Sequence, residues 1–452
     1  MTMILDELVA RLHPTQTLTG DATESYTRDA SPAVPEMPLA VVLAESTQDV
    51  STTLEWASTH RVPVIPRGAG SGVSGGATAT KGSVIVSLER MKAIRELRPA
   101  DRLAVVEPGV IIDTLDAAAR EQGLMFAPDP ASSAWATVGG AIATNAGGFH
   151  CLRHGVTADS VRALTVVLAD GRVLRTGARS RKNVAGYDLT HLFVGSEGTL
   201  GIVTEATVKL EPIPRGQTRT FLVAFPSLMQ AGSAVSELMA SSITPDLLEL
   251  LNRTTANLVE DFEPGHLDRG AAATLIGQVT DLDADAQIHQ LRTLFARHGG
   301  EHFEVRKGDA LIEVRKRVQP ALAARGMGVA WMSSDAAVPP SRLSELLRHI
   351  EQLQIEDGRD ISVVAHAGDG NIHAAVAGGA GGADDLAAAK RIVRAIAERA
   401  VQLGGTVTGE HGIGSLKRDF LALQFDETAL EVQAHIKAAL DPAGILNPGR
   451  AV

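Results

Sequence analysis

Glycine in this chain falls in three dense clusters, and close-spaced glycines mark backbone that must turn sharply or lie directly against something else. Of 452 residues, 44 are glycine. The first cluster runs Pro66-Arg67-Gly68-Ala69-Gly70-Ser71-Gly72-Val73-Ser74-Gly75-Gly76, directly after the apolar run Val62-Pro63-Val64-Ile65. Successive N–H groups in such a loop can form a concave nest for phosphate. Gly70, Gly72 and Gly75 fit the dinucleotide spacing GxGxxG, but the stretch from Gly76 to Val84 reads as loop and then strand, so a Rossmann turn is not expected. The second cluster starts at Pro128-Asp129-Pro130, passes Ser132 and continues from Thr137 to Gly148 almost without large side chains. Something wide and flat could lie against it. The third runs from Lys182 to Leu189 and on to Phe193-Val194-Gly195-Ser196-Glu197-Gly198-Thr199-Leu200-Gly201-Ile202.

Around these clusters the chain has the 44% apolar and 21% charged balance of a globular protein, too long for one ordinary core. Short Val/Ile/Leu runs predict strands in 39–46, 62–68, 83–88, 102–109, 163–170 and 172–177, with a helix over 47–60. The segment 201–210 carries the alternation of a half-exposed strand. After residue 213 longer helical runs appear at 228–242, 287–299 and 341–354, between strands at 218–225, 272–279 and 360–367. A boundary near 213 therefore separates a first domain, 1–213, from a second, 214–452, and the expected class is α+β.

Composition excludes several functions. The net charge of −11 argues against a nucleic-acid partner. The single cysteine, Cys151, allows neither an internal disulfide nor an iron–sulfur cluster. No run reaches the roughly 20 apolar residues of a membrane helix, and the opening MTMILDELVARLHP is already amphipathic, so neither a span nor a leader is expected and a cytoplasmic location fits.

The three clusters, in this order and spacing, resemble the FAD-binding domain of the vanillyl-alcohol oxidase and p-cresol methylhydroxylase superfamily over residues 31 to 213. The resemblance implies a two-part FAD-binding domain with FAD contacts at Arg67, Gly68, Ala69, Gly70, Ser71, Gly72, Ser74, Asp129, Ser132, Gly139, Gly140, Asn145, Glu197, Gly201 and Ile202. Some members attach the flavin through a histidine in the first loop. That loop holds none here, which implies non-covalent FAD.

Farther on, His366-Ala367-Gly368-Asp369-Gly370-Asn371-Ile372-His373 places a hairpin signal between two histidines. With Asp369 and Gly370 as the two loop residues, His366 would face His373 across the ladder, close enough to share an ion. A later segment, Thr408-Gly409-Glu410-His411-Gly412-Ile413-Gly414, adds a carboxylate and a third histidine. If that segment is extended, Glu410 and His411 point opposite ways, so one could ligate while the other does chemistry.

HxGDGNxH followed by GEHGIG resembles the C-terminal domain of FAD-linked D-2-hydroxy acid dehydrogenases, the group of D-lactate dehydrogenases and the flavin subunit of glycolate oxidase. With the tail LDPAGILNPGR the likeness covers nearly the whole chain. It implies a substrate and metal domain with a helical tail that closes on the flavin. The metal ligands would be His366, His373 and Glu410, holding zinc, with manganese as the alternative. His411 would be the catalytic base, His373 and His411 would touch substrate, and Asn447 would reach the flavin. Arg315 falls where the family binds a substrate carboxylate, although the tryptophan that commonly precedes it is missing and an arginine on an amphipathic helix is more often solvated. Gln319, Ser333 and Ala375 stand where the 2-hydroxyglutarate enzymes grip a distal carboxylate, which favours a shorter acid such as D-lactate or glycolate. An external electron acceptor is required, whether quinone, cytochrome, partner protein or oxygen, and a peripheral membrane position through such a partner fits. The sequence leaves open a homodimer, an alcohol or phenol oxidase, and a flavin subunit of a larger complex.

Overall fold

The computed structural model describes residues 2–325, 331–377 and 383–451. Over these the chain forms two compact units: Met1–Gly148, His154–Ile213 and Glu410–Val452 make the first, and Phe149–Arg153 with Pro214–Gly409 make the second. The chain leaves the first unit after Ile213, but the expected second domain, 214–452, stops at Gly409. The remainder goes back to the first unit because its apolar residues belong to that core. Ile445 and Leu446 are buried with Val42, Val64, Val84 and Val86, and Val64 bridges Leu446 in parallel.

In the first unit a four-stranded sheet runs in the order Thr17–Leu18, Ala40–Leu43, Val84–Ser87, Val64–Arg67, the last three parallel. Ala40–Leu43 and Val84–Ser87 are buried throughout, as parallel strands covered on both faces must be. The helix Thr47–His60 starts at Ser46, whose side chain accepts from the Asp49 N–H, and ends at Arg61 in the left-handed conformation. The second sheet is antiparallel, in the order Ile94–Arg98, Leu103–Val106, Ile202–Lys209, Val161–Val167, Val173–Gly177. Ile202–Lys209 was expected to be half-exposed. It sits in the middle instead, and only Glu205 and Lys209 are partly open, because apolar side chains meet it on both faces.

The second glycine cluster folds partly as a short helix, Val138–Thr144, rather than as loop alone. Thr137 caps it by accepting the Gly140 N–H, and Asn145 ends it with φ +50°. Gly139 is glycine for a packing reason, since a Cβ there would lie 2.5 Å from the Pro108 side chain.

The second unit is built on one antiparallel sheet in the order Glu301–Lys307, Gln217–Phe225, Ala273–Asp281, Leu247–Asn252, Ile361–His366, Asn371–Ala377, Trp331–Ser333, with Ala336–Ala337 also paired to Asn371–Ala377. The sequence reading passed over Leu247–Asn252, a strand buried at all six residues. Ser333 and Ala375 are register partners at the sheet edge.

Candidate active site

Every residue expected to touch the cofactor lies in the first unit, where the three glycine clusters meet. A Cβ on Gly68 would strike the Thr137 hydroxyl, and one on Gly198 would strike the Pro66 ring, so both glycines permit the close approach. The Gly195 N–H donates to Ile142 O at 2.9 Å and the Glu197 N–H to Ala143 O at 2.7 Å. From the chain's end, Asn447 Nδ2 donates to Gly76 O at 3.0 Å and Glu197 O at 2.8 Å.

This assembly has the character of a cradle. Among the described residues nothing accepts from the backbone N–H groups of Gly68 to Gly76. Two buried side-chain atoms also have no partner, Arg67 Nη1 and Asn447 Oδ1. Unpartnered buried polar atoms carry a desolvation penalty of about 1–3 kcal/mol each, which a ligand offering acceptors and donors would remove. Asn145, Glu197 and Asn447 hold left-handed φ of +50°, +51° and +44°, a strain that non-glycine residues keep where the surroundings demand it. A pyrophosphate on the open amides fits these groups.

The segment carrying Glu410 and His411 is tied to this cradle. Ser74 Oγ donates to His411 O at 3.0 Å, and the Ser415 N–H donates to Ser74 O at 3.0 Å. Glu197 accepts the Ile413 N–H at 2.8 Å on one oxygen and the Gly414 N–H at 2.7 Å on the other. Burial pushes the Glu197 carboxyl above its usual range, against the pull of those two N–H groups and of Lys417 and Arg450. The expectation that Glu410 and His411 diverge is not met. The segment bends rather than extends, Gly412 takes φ +77°, and His411 Nε2 stands 3.7 Å from Glu410 Oε1. Both side chains can therefore face one ligand.

In the second unit the expected hairpin forms, with a different register. The loop has four residues, Ala367 to Gly370, so His366 pairs with Asn371 and His373 with Val364. The shift is two positions, and with a side-chain period of two it leaves both histidines on one face. Their ring centroids are 5.3 Å apart, edge to face.

Buried carboxylates that the sequence reading did not single out stand beside both histidines. Glu249, fully buried, is the cross-strand partner of His366, and its Oε1 lies 2.6 Å from His366 Nδ1. Its other oxygen accepts from Arg315 Nε at 2.7 Å. Arg315 is thus buried, not solvated, and its guanidinium lies 5.2 Å from the Phe149 ring, which also meets His366 edge-on. Burial alone would push the Glu249 carboxyl up, but the charges of His366 and Arg315 and their hydrogen bonds outweigh it and hold it below the usual range. Asp335, also fully buried, puts Oδ1 3.5 Å from His373 Nδ1 and accepts from the Thr408 hydroxyl at 2.5 Å. Asp335 and His373 belong to a group of side chains able to hold a metal ion, of which His366, expected as a ligand, is not a member. The Gly409 N–H donates to Asp335 O at 2.7 Å, and Glu410 and His411 are the next two residues in the chain. The one available signal for Glu249 was an acid inside the unbroken apolar run Leu247-Leu248-Glu249-Leu250-Leu251, since lone carboxylates are almost never buried without a partner.

Comparison with known proteins agrees with both halves. Residues 38–177 match the model of an FAD binding domain, and residues 215–451 match that of FAD linked oxidases, C-terminal domain. The chain is 36% identical to the glycolate oxidase subunit GlcD of Bacillus subtilis over 94% of its own length and 91% of that protein. It is 35% identical to the D-lactate dehydrogenase of Archaeoglobus fulgidus, with 91% of each chain covered. Among solved structures, p-cresol methylhydroxylase with substrate bound has the same fold at 19% identity, with a TM-score of 0.81 over 100% of this chain and 96% of that one.

Proposed function

The chain belongs to the FAD-linked oxidases and is an FAD-dependent oxidoreductase, and on that premise we propose that it oxidises a small D-2-hydroxy acid, D-lactate or glycolate, to the 2-oxo acid. The observation that carries this reading is the second unit's Asp335 and His373, members of a group able to hold a metal ion, with His366 beside His373 and Arg315 buried on Glu249, joined in the chain to Glu410 and His411.

FAD, held non-covalently, supplies the two-electron acceptor for the hydride from C2, and a divalent ion, zinc by preference, supplies Lewis acidity. The backbone amides from Gly68 to Ser74 cradle the pyrophosphate, while Arg67, Asp129, Ser132, Gly139, Gly140, Asn145, Glu197, Gly201, Ile202 and Asn447 line the rest of the cofactor. His366, His373 and Glu410 would be the ligands of the ion, with Asp335 beside His373. His411 takes the hydroxyl proton, a task suited to an imidazole whose reference pKa is about 6.5. Arg315 keeps both Nη groups for the substrate carboxylate, since among the described residues its hydrogen bond is made through Nε. The names of the relatives favour a 2-hydroxy acid, and one of them is a subunit, which supports a flavin subunit of a larger enzyme as the second reading.

The test is anaerobic mixing of the yellow protein with D-lactate, L-lactate, glycolate and D-2-hydroxyglutarate while flavin absorbance is followed, with and without a chelator. D-lactate or glycolate should bleach the flavin, and the chelator should prevent it. His411→Ala should keep its flavin and lose reduction rate by about 10²- to 10⁴-fold. Bleaching by none of the acids refutes the substrate assignment, and unchanged reduction in the His411 variant refutes the base.

A further inference from the structure

We propose that Glu249 is a positioning residue that sets the metal ligand His366 and the substrate-binding Arg315 with one carboxylate, one oxygen to each. The inference rests on the functional reading above and adds a residue to it. Glu249 touches neither substrate nor flavin in this scheme. It acts through its two neighbours.

A carboxylate only accepts, so the contact at 2.6 Å requires His366 Nδ1 to carry the hydrogen, which leaves the ring's basic lone pair on Nε2. A carboxylate behind a ligating histidine fixes the tautomer and the ring plane in this way. On the other side, the bond from Arg315 Nε at 2.7 Å fixes the guanidinium plane and engages Glu249 without either Nη group. Phe149 packs against both the imidazole and the guanidinium, so the two are held from a second direction.

A purely structural ion pair explains the arrangement poorly. Glu249 lies at the centre of a strand whose other residues are apolar apart from Asn252, in the middle of the sheet, where a leucine would pack without any desolvation cost. Buried ion pairs seldom stabilise a fold better than apolar residues of similar size. An acid kept there serves the groups it orients. Glutamine cannot replace it, because one amide oxygen cannot accept from both His366 and Arg315 while its NH₂ group faces a donor.

The experiment compares holoenzyme carrying Glu249→Gln, Glu249→Asp or Arg315→Lys with the parent. Zinc affinity is measured by chelator competition, KM and kcat with the acid that reduces the parent flavin, flavin content by absorbance, and Tm. Glu249→Gln should bind zinc about 10- to 100-fold more weakly, raise KM and keep its flavin. Glu249→Asp should recover part of both losses. Arg315→Lys should raise KM and leave zinc affinity within a factor of two. The proposal is overturned if Glu249→Gln lowers Tm but leaves zinc affinity and KM as in the parent, or if Arg315→Lys weakens zinc as much as Glu249→Gln does. A parent that binds no zinc and reacts with no 2-hydroxy acid overturns both this proposal and the function it rests on. A normal parent with an unchanged Glu249→Gln variant overturns this one alone.

Discussion

Glu197 shows how a single side chain can be read from sequence for one reason and matter for another. The family resemblance implied a cofactor contact for it, whereas the structure makes its carboxylate the acceptor for the Ile413 and Gly414 N–H groups, more than two hundred residues on. Long-range hydrogen bonds of this kind leave no mark in local spacing. Because burial raises its folded-state pKa, the stability tied to the protonated form is fully present below the unfolded value and is lost as pH rises through the folded one. Glu197→Gln does not ionise. In flavin-free protein its unfolding free energy should therefore improve relative to the parent as pH rises from the ordinary carboxyl range through the raised folded-state value, where the buried carboxyl loses its proton. Urea titrations at several pH values measure this, and a difference that stays flat with pH contradicts the assigned cause.

The elements were legible where periodicity and turn chemistry spoke together. The helix Thr47–His60 and the runs around Val64, Val84 and Val161 announced themselves, as did the hairpin between the two histidines. The register of that hairpin did not, because Asp-Gly marks a turn without fixing whether the loop has two residues or four. Both histidines still share a face, since an even shift keeps a strand's faces unchanged. The strand Leu247–Asn252 went unread because a short apolar run with an acid inside it offers no alternation. Within the hairpin, Gly370 has φ +74°, and a Cβ there would collide with Val338 O. Gly370→Ala should cost about 1–3 kcal/mol of stability and, through the displaced strand ends, weaken binding of the proposed ion. Denaturant unfolding with zinc titration checks both, and a variant as stable as the parent would show that the loop has a second conformation open to it.

At the scale of the molecule, the change in texture after residue 213 was visible in the sequence, but the return at Glu410 was not. Nothing in the residues around Thr408 breaks the pattern, and the reason for the return is an apolar surface in the first unit that only the folded chain reveals. Ile445 and Leu446 fill that surface, the Asn447 N–H donates to Val64 O at 2.8 Å, and Arg450 donates to Thr78 O at 2.6 Å. Removing residues 445–451 should therefore cost the N-terminal half its flavin. Flavin absorbance of the purified truncated protein is the readout, and a full yellow complement would mean the cradle stands without its C-terminal segment. No helix among the described residues is long and apolar enough to cross a membrane.

That interrupted first unit also sets an order of events on the ribosome. Everything from Pro214 to Gly409 emerges before the residues that complete the core around Val64 exist. At roughly 5–20 residues per second the delay is on the order of tens of seconds. During that interval the buried faces of Val42, Val64 and Val86 lack Ile445 and Leu446, while the second unit already has nearly all of its sequence. The half of the protein made first is thus the half finished last, and nascent chains stalled in between would be the natural clients of a chaperone.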